Sequence, residues 1–83
     1  MKIAVYGPGC ANCRRLEQQT RDALTSIGLE AEVTKVEDVV AIAEAGIMRT
    51  PALGIDGKLV LQGRVPGAHE LATIIAKVRD GVR

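Results

Sequence analysis

The sequence predicts an α/β fold with the element order βαβαββα. Short apolar runs alternate with segments in which apolar residues recur about every 3.6 positions, and an Asp-Gly pair separates the last two runs. A right-handed crossover makes the first two strands parallel, and the closing hairpin adds an antiparallel pair. We therefore expect a four-stranded mixed sheet flanked by three helices. Residues 1–83 should form a single domain, because a chain this short cannot support two cores.

The first strand and helix come before residue 29. Lys2–Tyr6 is a short apolar run that ends at a Gly-Pro-Gly sequence, which is typical of a buried strand. Apolar or small residues at helical spacing then predict a helix that Gly28 ends. The members of this stripe are Cys13, Leu16, Thr20, Ala23, Leu24 and Ile27.

A second strand and helix follow. The run over residues 30–36 predicts a strand, and helical spacing continues over residues 39–47 until Gly46 breaks the pattern. The apolar members of this second stripe are Val39, Val40, Ala43 and Ile47. These two elements complete a βαβα half.

A hairpin and a last helix make up the second half. Asp56 and Gly57 separate two apolar runs, and both residue types tolerate the positive φ of a tight turn. The predicted strands cover residues 52–55 and 58–62. A final helix is predicted over residues 68–79, with one apolar face made of Leu71, Ile74, Ile75 and Val78.

Composition and charge exclude several classes of function. Eleven basic and ten acidic residues nearly cancel, and no Lys/Arg block of about five or more occurs, so we expect no nucleic-acid partner. The longest apolar run is interrupted by Glu44 and is far shorter than the roughly 20 residues that span a bilayer, so we expect no membrane association. No secretory signal precedes the first strand, which makes the cytoplasm the expected location.

Cys10 and Cys13, the two cysteines, form a C-x-x-C motif within Y-G-P-G-C-A-N-C-R-R. In a reducing compartment such a pair indicates catalysis or metal binding rather than a structural disulfide. Cys10 falls at the start of the first helix, where unpaired backbone N–H groups and the helix dipole favour a thiolate. We therefore expect Cys10 to be the attacking nucleophile. Cys13, one turn later and more buried, is expected to be the resolving thiol.

The neighbours of the cysteines are expected to support them. Gly7 and Gly9 permit unusual φ and close approach of a partner backbone, and Pro8 limits loop entropy. Arg14 and Arg15 lie in the first helical turn, where a cation costs about 0.3–1 kcal/mol against the dipole unless a thiolate offsets it. We assign Gly9 and Arg14 to loop and electrostatic support, and the alternative that both arginines are simply solvated stays open.

Thr50 and Pro51 form the second candidate feature. Pro51 cannot donate to a sheet, so it must stand at the start of the third strand. In this topology that point lies beside the end of the first strand, where Pro51 would face Cys10. A cis bond there would leave the Thr50 backbone free to pair with an extended substrate segment. We therefore expect Thr50 and Pro51 to bind substrate.

Together these motifs resemble those of the thioredoxin-fold superfamily. G-P-G-C-A-N-C follows the first strand, M-R-T-P-A-L-G-I-D-G-K covers the proline and the hairpin, and G-R-V-P precedes the last helix. The resemblance covers nearly the whole chain and points most closely to the small glutaredoxin-like members called redox-active disulfide protein 2. It implies a thiol–disulfide oxidoreductase in which Cys10 attacks, Cys13 resolves and the Thr50-Pro51 pair docks the substrate.

The same resemblance implies the partners. We expect disulfide-containing protein substrates, a thiol reductase or glutathione as electron donor, and a monomer. No cofactor is expected beyond the redox-active Cys10–Cys13 disulfide. Relative to thioredoxins, however, no Trp precedes the motif, no Pro separates the cysteines, and the first strand lacks a buried carboxylate to take the proton of the resolving thiol. Glutaredoxins have Pro-Tyr where this chain has Ala11-Asn12.

Two alternative functions stay open. The cysteine loop is similar to that of heavy-metal-associated domains, and two thiolates suit Cu(I) or Zn(II). That family has the order βαββαβ, and tetrahedral zinc needs four ligands, of which His69 is the one further candidate. An exposed position at a helix start is the simpler interpretation of His69, so we assign no metal ligand. A non-catalytic structural role is the second alternative. Four acidic residues in and directly after the second strand are interpreted as solvated surface rather than as an acid pair: Glu30, Glu32, Glu37 and Asp38.

Overall fold

A computed structural model describes residues 1–81 and has the predicted order βαβαββα. Its elements are β1 (Lys2–Tyr6), α1 (Ala11–Ser26), β2 (Glu32–Val36), α2 (Val39–Glu44), β3 (Ala52–Ile55), β4 (Lys58–Gln62) and α3 (Ala68–Arg79). Residues 82 and 83, the end of the expected domain, lie outside the described residues. Within residues 1–81, the helices all fall short of the length and apolar character needed to cross a membrane.

The four strands form one mixed sheet in the order β2-β1-β3-β4. β1 runs parallel to β2, while β3 is antiparallel to both β1 and β4, which confirms the predicted topology. The β3–β4 register shifts between Leu53 and Gly54, which oppose Leu61 and Leu59. Val60 is therefore an extra residue on β4, and it forms a β-bulge.

An aliphatic core lies between the sheet and the helices α1 and α3, which pack against each other. Ile3 and Val5 on β1 pair with Ile55 and Leu53 on β3, so these four side chains share one face of the sheet. All four are at most 2% exposed. The helices contribute buried side chains from the predicted stripes, among them Leu16, Ala23, Leu24, Leu71 and Ile75. Full burial of one such aliphatic side chain contributes roughly 1.5–3 kcal/mol.

The first helix ends at the predicted glycine. Gly28 has a φ of +64°, and its N–H donates to the Thr25 carbonyl at 3.2 Å. The Leu29 N–H donates to the Leu24 carbonyl at 3.0 Å. Both bonds belong to a Schellman motif, which satisfies carbonyls that the helix end leaves unpaired. This ending directs the chain back toward β2.

The second helix departs from the sequence prediction. It ends at Glu44 rather than at residue 47, because Gly46 takes a φ of +77° and closes the last turn. Its buried residue is Ile42, whereas Val39 and Val40 are 68% and 62% exposed. The predicted apolar stripe is therefore wrong, since a helix of six residues presents little more than one side chain to the sheet. β2 also begins two residues later than predicted, at Glu32.

Removal of the Asp38 side chain should destabilise the fold modestly. Asp38 is the N-cap of α2 and accepts hydrogen bonds from the N–H groups of Val40, at 3.4 Å, and Ala41, at 3.3 Å. Loss of such a cap typically costs about 1 kcal/mol. We expect Asp38→Ala to lower the free energy of unfolding by about 1 kcal/mol, measured as a lower urea midpoint at an unchanged m-value. Glu44→Ala, at an exposed position of the same helix, is the control. Equal midpoints for the two variants would show that the cap contributes nothing.

Candidate active site

The two cysteines lie at the start of α1. Cys10 is the N-cap residue and is exposed, whereas Cys13 is the third helical residue and is 5% exposed. The two are joined by a disulfide whose Cα atoms are 5.1 Å apart, within the usual range for such bonds. The structure therefore shows the oxidised form, with one sulfur at the surface and the other behind it.

The Cys10 sulfur accepts a hydrogen bond from the first turn of the helix. The Cys13 backbone N–H donates to Cys10 Sγ at 3.2 Å. This N–H is one of the amides that a helix start leaves without an intrahelical partner. Together with the positive end of the helix dipole, it favours negative charge on the sulfur. The N-cap position thus stabilises a Cys10 thiolate when the disulfide is reduced.

Gly7 connects the cysteine motif to the proline. Its N–H donates to the Val36 carbonyl at 2.9 Å, which extends the pairing of β1 with β2. A Cβ on this buried glycine would collide with the Cys13 sulfur, and the Pro51 Cα lies 3.9 Å from the same position. The structure therefore brings Pro51 to the Cys13 side of the motif. Pro51 is buried, and the Thr50–Pro51 peptide bond is cis.

The segment before Pro51 is held by a side chain that the sequence analysis missed. Gln62 Oε1 accepts from the N–H of Met48 at 2.9 Å and from the N–H of Arg49 at 3.2 Å. Within residues 1–81 the backbone of exposed Thr50 makes no hydrogen bond. Its N–H and carbonyl therefore remain available to another chain. Met48, two residues before Thr50, is 87% exposed.

The loop before Cys10 is fixed by Arg14. Gly9 has a φ of +89°, which favours glycine, and its carbonyl accepts a hydrogen bond from Arg14 Nη1 at 2.9 Å. The guanidinium thus holds the loop directly. The structure brings both predicted support residues, Gly9 and Arg14, to the cysteine motif.

A cavity of about 220 Å³ lies beside Cys13, and the three charged residues on its lining are exposed. It is lined by Val5, Gly7, Gly9, Cys13, Arg14, Lys35 and Glu37. The Glu37 carboxylate lies against Gly9, because its Oε2 is 2.9 Å from the position of a Cβ on that glycine. Glu37 is exposed, as the sequence analysis expected, but its contact with Gly9 was not predicted. The sequence around Glu37 carries no pattern that predicts this contact. The contact arises because β1 and β2 pair in parallel, which places the residue after Val36 beside the cysteine loop.

The two cysteine sulfurs are the candidate ligands that the described residues bring together for a metal ion. Within residues 1–81 there is no group of three or more His, Cys, Asp or Glu side chains that could hold a metal. His69 is exposed in the first turn of α3. The observed order βαβαββα also differs from the order βαββαβ of heavy-metal-associated domains.

Comparison with known proteins adds independent information. The family described as Thioredoxin domain matches residues 1–76. A protein named Thioredoxin from Methanothermobacter thermautotrophicus is 42% identical over 76 residues, which cover 92% of this chain and 99% of that relative. Another protein of the same name, from Methanocaldococcus jannaschii, is 30% identical over 79 residues, which cover 95% of this chain and 91% of the relative.

Proposed function

The chain belongs to the thioredoxin domain family and is a thiol–disulfide oxidoreductase, and we propose that Cys10 is its attacking thiolate and Cys13 its resolving thiol. The observation that carries this assignment is the difference between the two sulfurs. Cys10 is exposed and accepts the Cys13 N–H, whereas Cys13 is buried behind it. A substrate disulfide can therefore reach Cys10 first, and the mixed disulfide then lies one helical turn from the second thiol.

In the proposed reaction two electrons pass from the dithiol to the substrate. The Cys10 thiolate attacks one substrate sulfur, the substrate S–S bond breaks, and the first substrate thiolate leaves and takes a proton from solvent. Cys13 then loses its proton and attacks Cys10 Sγ. The bond between Cys10 and the substrate breaks, the second substrate thiolate leaves, and the Cys10–Cys13 disulfide forms. A reductase or another thiol donor returns two electrons and restores the dithiol.

The proposed substrates are disulfide-containing proteins that dock in an extended conformation at Thr50. The unpaired N–H and carbonyl of Thr50 would pair with the substrate backbone, as in the addition of a strand. Gln62 fixes Met48 and Arg49 and so holds this segment in place before the substrate arrives. We further propose a monomer in the cytoplasm, where a reducing environment keeps such a pair in the dithiol form.

Replacing Pro51 tests the docking site. We expect Pro51→Ala to raise KM for a protein disulfide by about tenfold, equivalent to about 1.4 kcal/mol of binding, because the segment that presents Thr50 loses its fixed shape. The rate with a small aromatic disulfide should change little, since such a substrate needs no backbone pairing. Steady-state kinetics with both substrates provide the measurement.

Pro66→Ala serves as the matched control for that experiment. Pro66 is also buried but lies in the loop before α3. Pro66→Ala should leave the kinetics with both substrates unchanged, although the protein itself should lose some stability. If Pro51→Ala reduces a protein disulfide with an unchanged KM, the docking role of Thr50 and Pro51 must be abandoned.

A further inference from the structure

Arg49 stands directly before Thr50, the proposed docking residue, and its backbone is fixed. The Arg49 N–H donates to Gln62 Oε1 at 3.2 Å, and the same oxygen accepts the Met48 N–H at 2.9 Å. Gln62 is the last residue of β4 and pairs with the first residue of β3. The point from which the Arg49 side chain starts is therefore tied to the sheet.

The stem of the Arg49 side chain lies on Gly63. Its Cδ, Cβ and Cγ are 2.9, 3.1 and 3.6 Å from the position that a Cβ on Gly63 would take. Gly63 has a φ of +77°, and its N–H donates to the Pro51 carbonyl at 2.9 Å. The glycine thus leaves room for the arginine stem beside the docking segment. Long basic side chains cover a surface in this way while their charged end stays in water.

The guanidinium of Arg49 carries a positive charge that the described part of the chain does not neutralise. Arg49 is exposed, and within residues 1–81 it forms no ion pair with a carboxylate. Arg64, the residue after Gly63, differs in this respect because it pairs with Glu70 at 2.7 Å. An arginine stays protonated in proteins and has five N–H donors. Arg49 can therefore offer its charge and donors to a group on another molecule.

We propose that Arg49 binds a carboxylate of the protein substrate, so that disulfides flanked by acidic residues are preferred. The inference rests on the proposed docking of an extended substrate at Thr50. A segment that pairs with Thr50 passes Arg49, because the two residues are adjacent in the chain. A guanidinium matches the planar shape of a carboxylate and can bind both of its oxygens. The fixed stem also lowers the conformational entropy that is lost when the pair forms.

A purely structural role for Arg49 predicts a different result. If the stem only covers Gly63 and keeps the docking segment in shape, its removal should impair the reduction of all peptide disulfides alike. If the guanidinium binds a carboxylate, loss of the charge should impair the acidic substrates alone. The ratio of the rates with acidic and neutral substrates therefore separates the two roles.

Steady-state reduction of three peptides tests this proposal. Each substrate is a dimer of one short peptide joined through its single cysteine, and the residues two positions before and after that cysteine are both Asp, both Asn or both Lys. We expect the wild-type protein to reduce the Asp peptide with a kcat/KM about fivefold above that of the Asn peptide, the upper end for an exposed ion pair. The difference should lie in KM and shrink at high ionic strength. The Lys peptide should be the poorest substrate.

Variants of Arg49 separate its charge from its stem. Arg49→Met keeps an unbranched stem without the charge, and we expect it to reduce the three peptides within about twofold of one another. Arg49→Glu should prefer the Lys peptide, and Arg49→Lys should keep most of the wild-type preference because it remains a cation. Lys77→Gln, at an exposed position in the last turn of α3, changes the net charge as Arg49→Met does. This matched control should keep the wild-type preference.

The outcomes distinguish failure of this inference from failure of the proposed function. Equal rates with the three peptides in the wild-type protein, or an unchanged preference in Arg49→Met, would overturn the role of Arg49. Equal impairment of all three peptides in Arg49→Met would also overturn it and assign the stem a structural role. The same loss of preference in Lys77→Gln would show that net charge, rather than contact with Arg49, selects the substrate. A wild-type protein that reduces neither these peptides nor a small aromatic disulfide would instead reject the proposed function.

Discussion

Replacing Cys13 with serine is expected to trap a mixed disulfide between Cys10 and a substrate protein. The exposed Cys10 sulfur can still attack, because its N-cap position and the N–H of residue 13 remain. A serine hydroxyl at position 13 cannot attack the mixed disulfide, so the intermediate accumulates. Non-reducing gel electrophoresis and mass spectrometry of the complex provide the measurement. Cys10→Ser, in contrast, should lower disulfide turnover to the uncatalysed background, since the buried Cys13 sulfur meets no substrate.

The contrast between these two variants is the essential result. If Cys10→Ser traps the substrate and Cys13→Ser does not, the two roles are reversed. Equal residual turnover in both variants would reject the assignment altogether. Circular dichroism of both proteins controls for folding. We expect both to fold, because each replacement exchanges only one sulfur atom for an oxygen atom.

Introducing a methyl group at Gly7 should destabilise the protein and displace Cys13. A Cβ there collides with the Cys13 sulfur and lies 3.1 Å from the Cys13 Cβ, and the Pro51 Cα is 3.9 Å away. Overpacking of a filled interior typically costs about 1–3 kcal/mol. We expect Gly7→Ala to lose the upper part of that range in urea unfolding. Displacement of Cys13 should also slow its attack on the mixed disulfide.

Gly67→Ala is the matched control for this prediction. No atom lies within 4 Å of a Cβ at Gly67, and its φ of −70° suits any residue. Gly67 is the N-cap of α3, where alanine is less favourable than glycine, so a loss of less than about 1 kcal/mol is expected. Comparable stability of Gly7→Ala and Gly67→Ala would mean that the cysteine loop yields to the added methyl group.

Local patterns in the sequence were sufficient to predict most of the fold. The strands over residues 52–55 and 58–62 and the helix over residues 68–79 have their predicted bounds, because turn chemistry and a strong apolar stripe mark them. The position of Cys10 at a helix start also follows from local signals. The face of α2 does not, since a helix of six residues is oriented by the sheet beneath it rather than by its own periodicity.

The features of the site that escaped prediction all depend on long-range pairing. Gln62 reaches the Met48–Arg49 segment because β3 and β4 pair, and Glu37 reaches the cysteine loop because β1 and β2 pair. Neither residue carries a local signature of its role. Sequence alone therefore predicted where the two sulfurs lie and that Gly9 and Arg14 lie beside them, but not the contacts of Gln62 and Glu37.

The bulge at Val60 bears on the tendency of the protein to aggregate through the edges of its sheet. β2 and β4 are the outer strands of the sheet, and their unpaired backbone groups could template aggregation. β4 is interrupted by the bulge and begins with exposed Lys58, while β2 exposes Glu32 and Lys35. Charged side chains and bulges both discourage the addition of a foreign strand at a sheet margin. Addition of a foreign strand at either margin of the sheet is thus disfavoured, which is consistent with the proposed docking of an extended polypeptide at Thr50 instead.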